Sequence, residues 1–154
     1  DLADGRQVEP PQRQHVEFLA VVGNAAAGAA ERVRGPDDER ETPDLLGDGA
    51  VAKIKAAGVD EVWCLSVNDA FVMGAWGRDQ KTAGKVRMMA DGSADFAKAL
   101  GLTIDRSAAG MGLRMQRFSM LVRDGVVVSL NVEAPGKFEV SDADTLLRQA
   151  RELT

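Results

Sequence analysis

The sequence is poor in the residues that form disulfides, metal sites and aromatic cores. It has 154 residues, with one cysteine (Cys64), one histidine (His15), two tryptophans and no tyrosine. A single cysteine excludes an internal disulfide and a cysteine-based zinc site, and it favours a reducing, cytoplasmic setting. With only one histidine as well, neither a metal ion nor any other cofactor is expected.

Basic charge and long apolar runs are also scarce. The formal net charge is -5, which argues against binding to nucleic acid or to an anionic membrane, since both need a basic surface. No run approaches the 18 apolar residues of a membrane-spanning helix, and no signal peptide opens the sequence. The length predicts a single domain over residues 1–154, with a core built from Val, Leu, Ala and Met.

Helical and strand patterns alternate from about residue 50 onward. The predicted helices are Ala50–Ala57, Ala70–Arg78, Ser93–Leu100 and a last one after a capping box at Ser141–Asp144. The predicted strands are Val59–Val67, Lys85–Ala90, Arg117–Arg123 and Val126–Val132. Asp124-Gly125 between the last two strands indicates a hairpin. In the second helix, Phe71, Val72, Ala75 and Trp76 are expected to share one face.

This order predicts an α/β fold with a mixed central sheet and helices on both faces. Thioredoxin-like folds have this order, and so do other small α/β proteins. The first 50 residues are less regular. Val16–Gly23 could form an early strand, whereas Asn24–Ala30 and Val33–Glu41 are interpreted as a solvated loop because no phosphate-binding glycine motif is present.

Four strings carry a family resemblance from about Lys53 to the end of the chain. They are LSVNDAFVMGAW (Leu65–Trp76), RFSM (Arg117–Met120), DGVVV (Asp124–Val128) and LNVEAPGKFEV (Leu130–Val140). Together they closely resemble the redoxin-type peroxiredoxins, in the subfamily of atypical and glutaredoxin-dependent members.

The resemblance implies a thioredoxin-like fold and a thiol-dependent peroxidase that reduces hydrogen peroxide and alkyl hydroperoxides. It also implies an external thiol reductant, such as glutathione with glutaredoxin or thioredoxin, and a homodimer. By motif position Arg117 is the family's active-site arginine, which holds the thiolate and polarises the peroxide. The alternative for Arg117 is a structural salt bridge, and nearby Arg114 is interpreted as a surface or interface charge.

The cysteine that attacks peroxide in this family is missing. It is expected near Pro36–Pro43, ahead of the helix that ends at Gly58, but the residues there are PDDERETP. A carboxylate is a poor nucleophile toward peroxide and would pair with Arg117 instead. Cys64 matches a secondary cysteine of the family, and its apolar strand predicts an inert core thiol.

A shift of reading frame could explain the missing motif. Read one base out of frame, codons for Pro36–Asp44 can encode Pro-Thr-Thr-Ser-Ala-Lys-His-Leu, where family members carry Pro-Thr-Cys-Ser-x-x-His-Leu-Pro. The cysteine itself cannot emerge from this reading, because that codon must begin with A.

Two other functions stay open. One is a catalytically inactive peroxiredoxin-like binding or structural protein, dimeric through the region of Phe71 and Trp76, although core packing is the simpler interpretation of Phe71. The other is a flavodoxin-like small-molecule binder, which the lack of a phosphate loop disfavours.

Overall fold

A computed structural model describes residues 18–23 and 48–154 of the chain. Its strands are β1 (Phe18–Gly23), β2 (Glu61–Ser66), β3 (Arg87–Ala90), β4 (Thr103–Asp105), β5 (Leu113–Met115), β6 (Phe118–Arg123) and β7 (Val126–Val132). Its helices are α1 (Asp48–Ala56), α2 (Ala70–Asp79), α3 (Asp95–Ala99) and α4 (Ala143–Leu153).

Five strands form the central sheet in the order β3-β2-β1-β6-β7. β1 pairs in parallel with β2 and antiparallel with β6, so the early strand predicted from the sequence lies in the middle of the sheet. β2 and β3 are parallel, and β6 and β7 form the antiparallel hairpin. The predicted mixed sheet is confirmed. The predicted loop at Asn24–Ala30 and Val33–Glu41 lies outside the described residues.

The alternation of side chains along β2 divides the core into two clusters. Val62 and Cys64 face a cluster with residues of α1, α2 and α4, whereas Leu65 and Val67 face a cluster with residues of α3 and β6. Helices therefore cover both faces, as the sequence predicts. The small β4–β5 sheet was not predicted; its Met115 is buried in the second cluster.

The turn between β6 and β7 has the predicted chemistry. Asp124 (φ 50°) and Gly125 (φ 78°) both adopt the left-handed conformation that a two-residue hairpin turn of type I′ requires. Aspartate tolerates this conformation better than most residues, and glycine adopts it without steric cost.

The predicted face of α2 is wrong. The buried residues of this helix are Met73 and Gly77, while Phe71 is 88% exposed. Asp69 starts the helix, and its carboxylate accepts a hydrogen bond from the Val72 N–H at 2.8 Å. This start sets a helix phase that directs Phe71 to solvent, so core packing of Phe71 is also wrong. Trp76 does pack against the first cluster.

The cap of α4 differs by one residue from the predicted capping box. Asp142 is the N-cap residue, and its Oδ1 accepts from the Thr145 N–H at 2.8 Å. Ser141 is fully buried and donates instead to Glu133. The structure thus gives Ser141 a partner outside the helix.

None of the helices within residues 48–154 is long and apolar enough to cross a membrane.

Candidate active site

Several strand ends meet at one edge of the central sheet. β1 ends there at Gly23 and β2 ends there at Ser66, and Arg117 immediately precedes the start of β6 at the same edge. β7 also ends there, because the Glu133 N–H donates to the Arg117 carbonyl at 2.9 Å. Ligands of open α/β sheets bind outside the carboxyl ends of the strands, at the point where the strand order reverses. In this sheet β1 lies at that point, between β2 and β6.

The end of β1 lies tightly against the start of β6. A Cβ atom built on Gly23 would lie 2.0 Å from Cε1 of Phe118, whose ring is 1% exposed. Only glycine fits at this point. This close approach brings the residue before Phe118, which is Arg117, beside the end of β1.

The Arg117 guanidinium is half-buried and lies over an aromatic ring. Its Cζ is 4.0 Å from the centroid of the Phe138 ring, a cation–π contact. Burial lowers the pKa of Arg117, and the charge of nearby Glu133 opposes that shift. Because arginine does not lose its proton in proteins, Arg117 remains a cation at neutral pH.

The carboxylate of Glu133 closes the loop that carries Phe138. Its Oε1 accepts hydrogen bonds from the N–H groups of Glu139 (2.9 Å), Val140 (2.8 Å) and Ser141 (2.7 Å), and from the Ser141 hydroxyl (2.9 Å). Burial raises the pKa of Glu133, but the hydrogen bonds from Ser141, Val140 and Glu139 outweigh it and lower the pKa below its usual value. Neither Glu133 nor Phe138 was predicted from the sequence to have a role at the site.

Arg114, interpreted from the sequence as a surface or interface charge, is not a solvent-exposed surface residue. It is half-buried, and its Nη1 donates to the Val67 carbonyl at 2.6 Å and to Asn68 Oδ1 at 3.2 Å. These bonds join β5 to the end of β2 at the same edge as Arg117. Arg114 therefore fixes the loop that leads into α2.

Cys64 lies inside the core, away from solvent. Its side chain is 1% exposed in the first cluster, and burial raises the pKa of its thiol to about 12. Because only the thiolate attacks peroxide, Cys64 is inert in the folded protein, as predicted. The expected position of the attacking cysteine, near Pro36–Pro43, lies outside the described residues.

The described residues contain no group of three or more His, Cys, Asp or Glu side chains that could hold a metal ion.

Comparison with known proteins identifies the family. The Redoxin family model matches residues 48–147. Peroxiredoxin-2B of Arabidopsis thaliana is 45% identical over 96 residues, which cover 62% of this chain and 59% of the relative. A Synechocystis peroxiredoxin is 42% identical over 102 residues, covering 62% of this chain and 53% of the relative. The matched part of the chain thus spans less than two thirds of the length of these relatives.

A solved structure extends the likeness to the fold. Reduced Prx3 from Vibrio vulnificus in complex with hydrogen peroxide is 42% identical, covers 88% of this chain and 80% of its own, and superposes with a TM-score of 0.74. The fold is therefore thioredoxin-like, as expected. On the family model and these relatives, the chain belongs to the redoxin family and is of the peroxiredoxin type.

Proposed function

We propose that the fold and the Arg117 site of this protein are those of a thiol-dependent peroxidase for hydrogen peroxide and alkyl hydroperoxides, with Arg117 as the polarising cation and with the attacking cysteine absent from the sequence. The observation that carries the proposal is the Arg117 guanidinium fixed against Phe138 at the edge where β1 ends. A half-buried cation of fixed position is suited to stabilising negative charge as an O–O bond breaks. The resemblance between Arg117-Phe118-Ser119-Met120 and the family motif supports the same role.

The reaction needs a thiolate that faces Arg117. Its sulfur attacks one peroxide oxygen, the O–O bond breaks, and the other oxygen leaves with the bonding electron pair and takes up a proton as water or alcohol. The cysteine becomes a sulfenic acid, the peroxide being reduced by two electrons. Two equivalents of an external thiol then return the cysteine to its reduced form, releasing water and a disulfide. Glutathione with glutaredoxin, or thioredoxin, would be the external reductant.

The sulfur cannot come from Cys64, which is buried on a strand of the core. The family resemblance implies that it comes from the region near Pro36–Pro43, ahead of α1, and the sequence has no cysteine there. This observation favours the second candidate function for the printed chain: a catalytically inactive protein with the same fold, acting as a binding or structural module.

One experiment with two proteins separates these functions. Peroxide consumption with dithiothreitol, or with glutathione and glutaredoxin, is measured for the printed chain after its intact mass has been matched to the sequence. It is then measured for a chimera in which residues 24–47 are replaced by a segment that carries the family's cysteine motif, Pro-Thr-Cys-Ser-x-x-His-Leu-Pro. We expect no turnover from the printed chain and thiol-dependent turnover from the chimera.

The role of Arg117 is tested in the chimera. Removing one preorganised charged donor typically lowers the rate by about 10²- to 10³-fold, so Arg117→Ala should lose that much. Arg148→Ala, on the exposed side of α4, is the matched control and should retain full turnover. A folded chimera without turnover would remove the peroxidase proposal and leave the inactive module. An intact mass that departs from that of the sequence, together with a different reading frame over residues 31–44 in the resequenced coding DNA, would support the frame-shift hypothesis.

We also propose a cytoplasmic homodimer that pairs near the start of α2. The support is the Phe71 ring, 88% exposed on the first turn of that helix. Phe71→Ser should shift the sedimentation coefficient toward the monomer, whereas a dimer unaffected by this change would contradict the assignment.

A further inference from the structure

The loop after β7 contacts Arg117 at two points. At its start, the Glu133 N–H donates to the Arg117 carbonyl at 2.9 Å. Five residues later, the centroid of the Phe138 ring lies 4.0 Å from the Arg117 Cζ atom. We call residues 133–141 the latch. Backbone and side chain of one arginine are thus held by the same short segment.

One oxygen atom determines the conformation of the latch. Glu133 Oε1 accepts four hydrogen bonds, all between 2.7 and 2.9 Å, from residues six to eight positions later in the chain. Hydrogen bonds to an ionised acceptor are about twice as strong as neutral ones. Residues 134–138, which lie between Glu133 and its donors at residues 139–141, must therefore form a compact arch.

The arch is a tight turn with favourable residues at both central positions. The Lys137 N–H donates to the Ala134 carbonyl at 3.0 Å, and Gly136 has a φ of 76°. Proline at the second position and glycine at the third are the residues that a type II turn prefers. Pro135 and Gly136 thus restrict the backbone conformation of the turn. Phe138 follows the turn, and its ring lies against the Arg117 guanidinium.

The contact fixes the guanidinium without consuming its donors. A guanidinium that stacks on an aromatic ring keeps its in-plane N–H groups available, and the Arg117 Cζ atom lies 4.0 Å from the centroid of the Phe138 ring. Glu133 Oε1 accepts hydrogen bonds from backbone N–H groups of the latch. The negative charge of Glu133 also favours the protonated form of Arg117. The in-plane N–H groups can then point toward an anion or a peroxide oxygen.

We propose that Glu133 and Phe138 are positioning residues, which hold the Arg117 guanidinium in the orientation needed to polarise the peroxide. The hydrogen bonds to Glu133 hold the latch in its conformation. In that conformation the Phe138 ring contacts the Arg117 guanidinium. The consequence for catalysis rests on the peroxidase function proposed above, but the positioning itself is a property of the folded chain and can be measured without turnover.

The first test is side-chain NMR of the full chain labelled with ¹⁵N-arginine. The Nε–H signal of Arg117 is assigned by its loss in Arg117→Lys. In the wild type we expect it to be shifted upfield by the Phe138 ring and to exchange with solvent more slowly than the signals of exposed arginines. Phe138→Leu and Glu133→Gln should abolish both signatures. Phe138→Tyr keeps the aromatic ring and should retain them.

Glu139→Gln is the matched control for Glu133→Gln. It makes the same change in the same loop, but the Glu139 side chain is 65% exposed and contacts Lys137 at 3.4 Å. It should leave the Arg117 signal unchanged. If Glu133→Gln does not fold, Ser141→Ala removes only the hydroxyl donor and should shift the signal partly toward that of Phe138→Leu. An Arg117 signal that is the same in folded Phe138→Leu as in wild type would overturn the proposal.

The second test uses the cysteine-bearing chimera. A loosely held guanidinium should lower kcat/KM for hydroperoxide by roughly tenfold in Phe138→Leu, while Phe138→Tyr should stay near the unmodified chimera. If the NMR signatures behave as expected but the chimera has no turnover, the latch stands and the peroxidase function fails. If the chimera turns over and Phe138→Leu leaves kcat/KM unchanged, the positioning role is wrong and the peroxidase function stands.

Discussion

Replacing Gly23 by alanine tests how closely the end of β1 approaches Phe118 at the start of β6. In Gly23→Ala the new Cβ atom would meet three atoms of the Phe118 ring, at 2.0, 2.4 and 2.7 Å. Restoring an ordinary carbon–carbon contact of about 3.5 Å requires a movement of roughly 1.5 Å. The obstacle is the body of a ring that is 1% exposed, so neither partner can move aside freely.

Overpacking of a filled core typically costs about 1–3 kcal/mol, and this overlap belongs at the upper end. We therefore expect Gly23→Ala to lower the free energy of unfolding by about 3 kcal/mol, which for a domain of this size is roughly 6–12 °C in Tm. Urea unfolding followed by tryptophan fluorescence measures it, since Trp63 and Trp76 pack against the two clusters.

Two controls isolate the clash. Gly49→Ala makes the same change in α1, where a Cβ atom meets nothing within 4 Å, and it should stabilise the protein by up to about 0.5–1 kcal/mol. Gly23→Ala should cost much less in a Phe118→Ala background, because the ring is gone. If Gly23→Ala unfolds within about 0.5 kcal/mol of wild type, the packing at this edge is described wrongly.

Three further predictions concern Cys64, Glu133 and Asp142. The native Cys64 thiol, with a pKa of about 12, should react with Ellman's reagent at pH 8 roughly a thousandfold more slowly than after unfolding; fast labelling of native protein would contradict its burial. The lowered pKa of Glu133 contributes stability above the unfolded pKa of about 4.3, which is lost as pH falls through the folded pKa. The difference in unfolding free energy between wild type and Glu133→Gln should therefore be constant from pH 6 to 8 and shrink below about pH 4; a constant difference down to pH 3 would refute this. Asp142→Ala removes the cap of α4 and should cost about 1 kcal/mol in urea unfolding, with Asp144→Ala as the control.

Local signals in the sequence were sufficient for the hairpin, whereas Arg117 was assigned through the family resemblance. Asp124-Gly125 predicted its turn because few residue pairs accept two positive φ angles, and the structure has both. Arg117 was assigned by its position in the RFSM motif of the family, and in the structure it directly precedes β6. The motif, however, gave no information about what holds its side chain.

The latch could not be predicted because its hydrogen bonds depend on the loop conformation. Three of the donors to Glu133 are backbone N–H groups, which every residue except proline carries. The buried face of α2 was missed for a different reason. Its first turn contains Phe71, Val72 and Met73 in succession, so apolar character alone does not choose a face. The strands β4 and β5 have three residues each, too few to show an alternating pattern.

Peroxide consumption by the cysteine-bearing chimera tests the central claim most directly. The account predicts thiol-dependent turnover that falls about 10²-fold or more in Arg117→Ala and is unchanged in Cys64→Ala. Turnover that survives Arg117→Ala, or that the printed chain supports through Cys64, would contradict it.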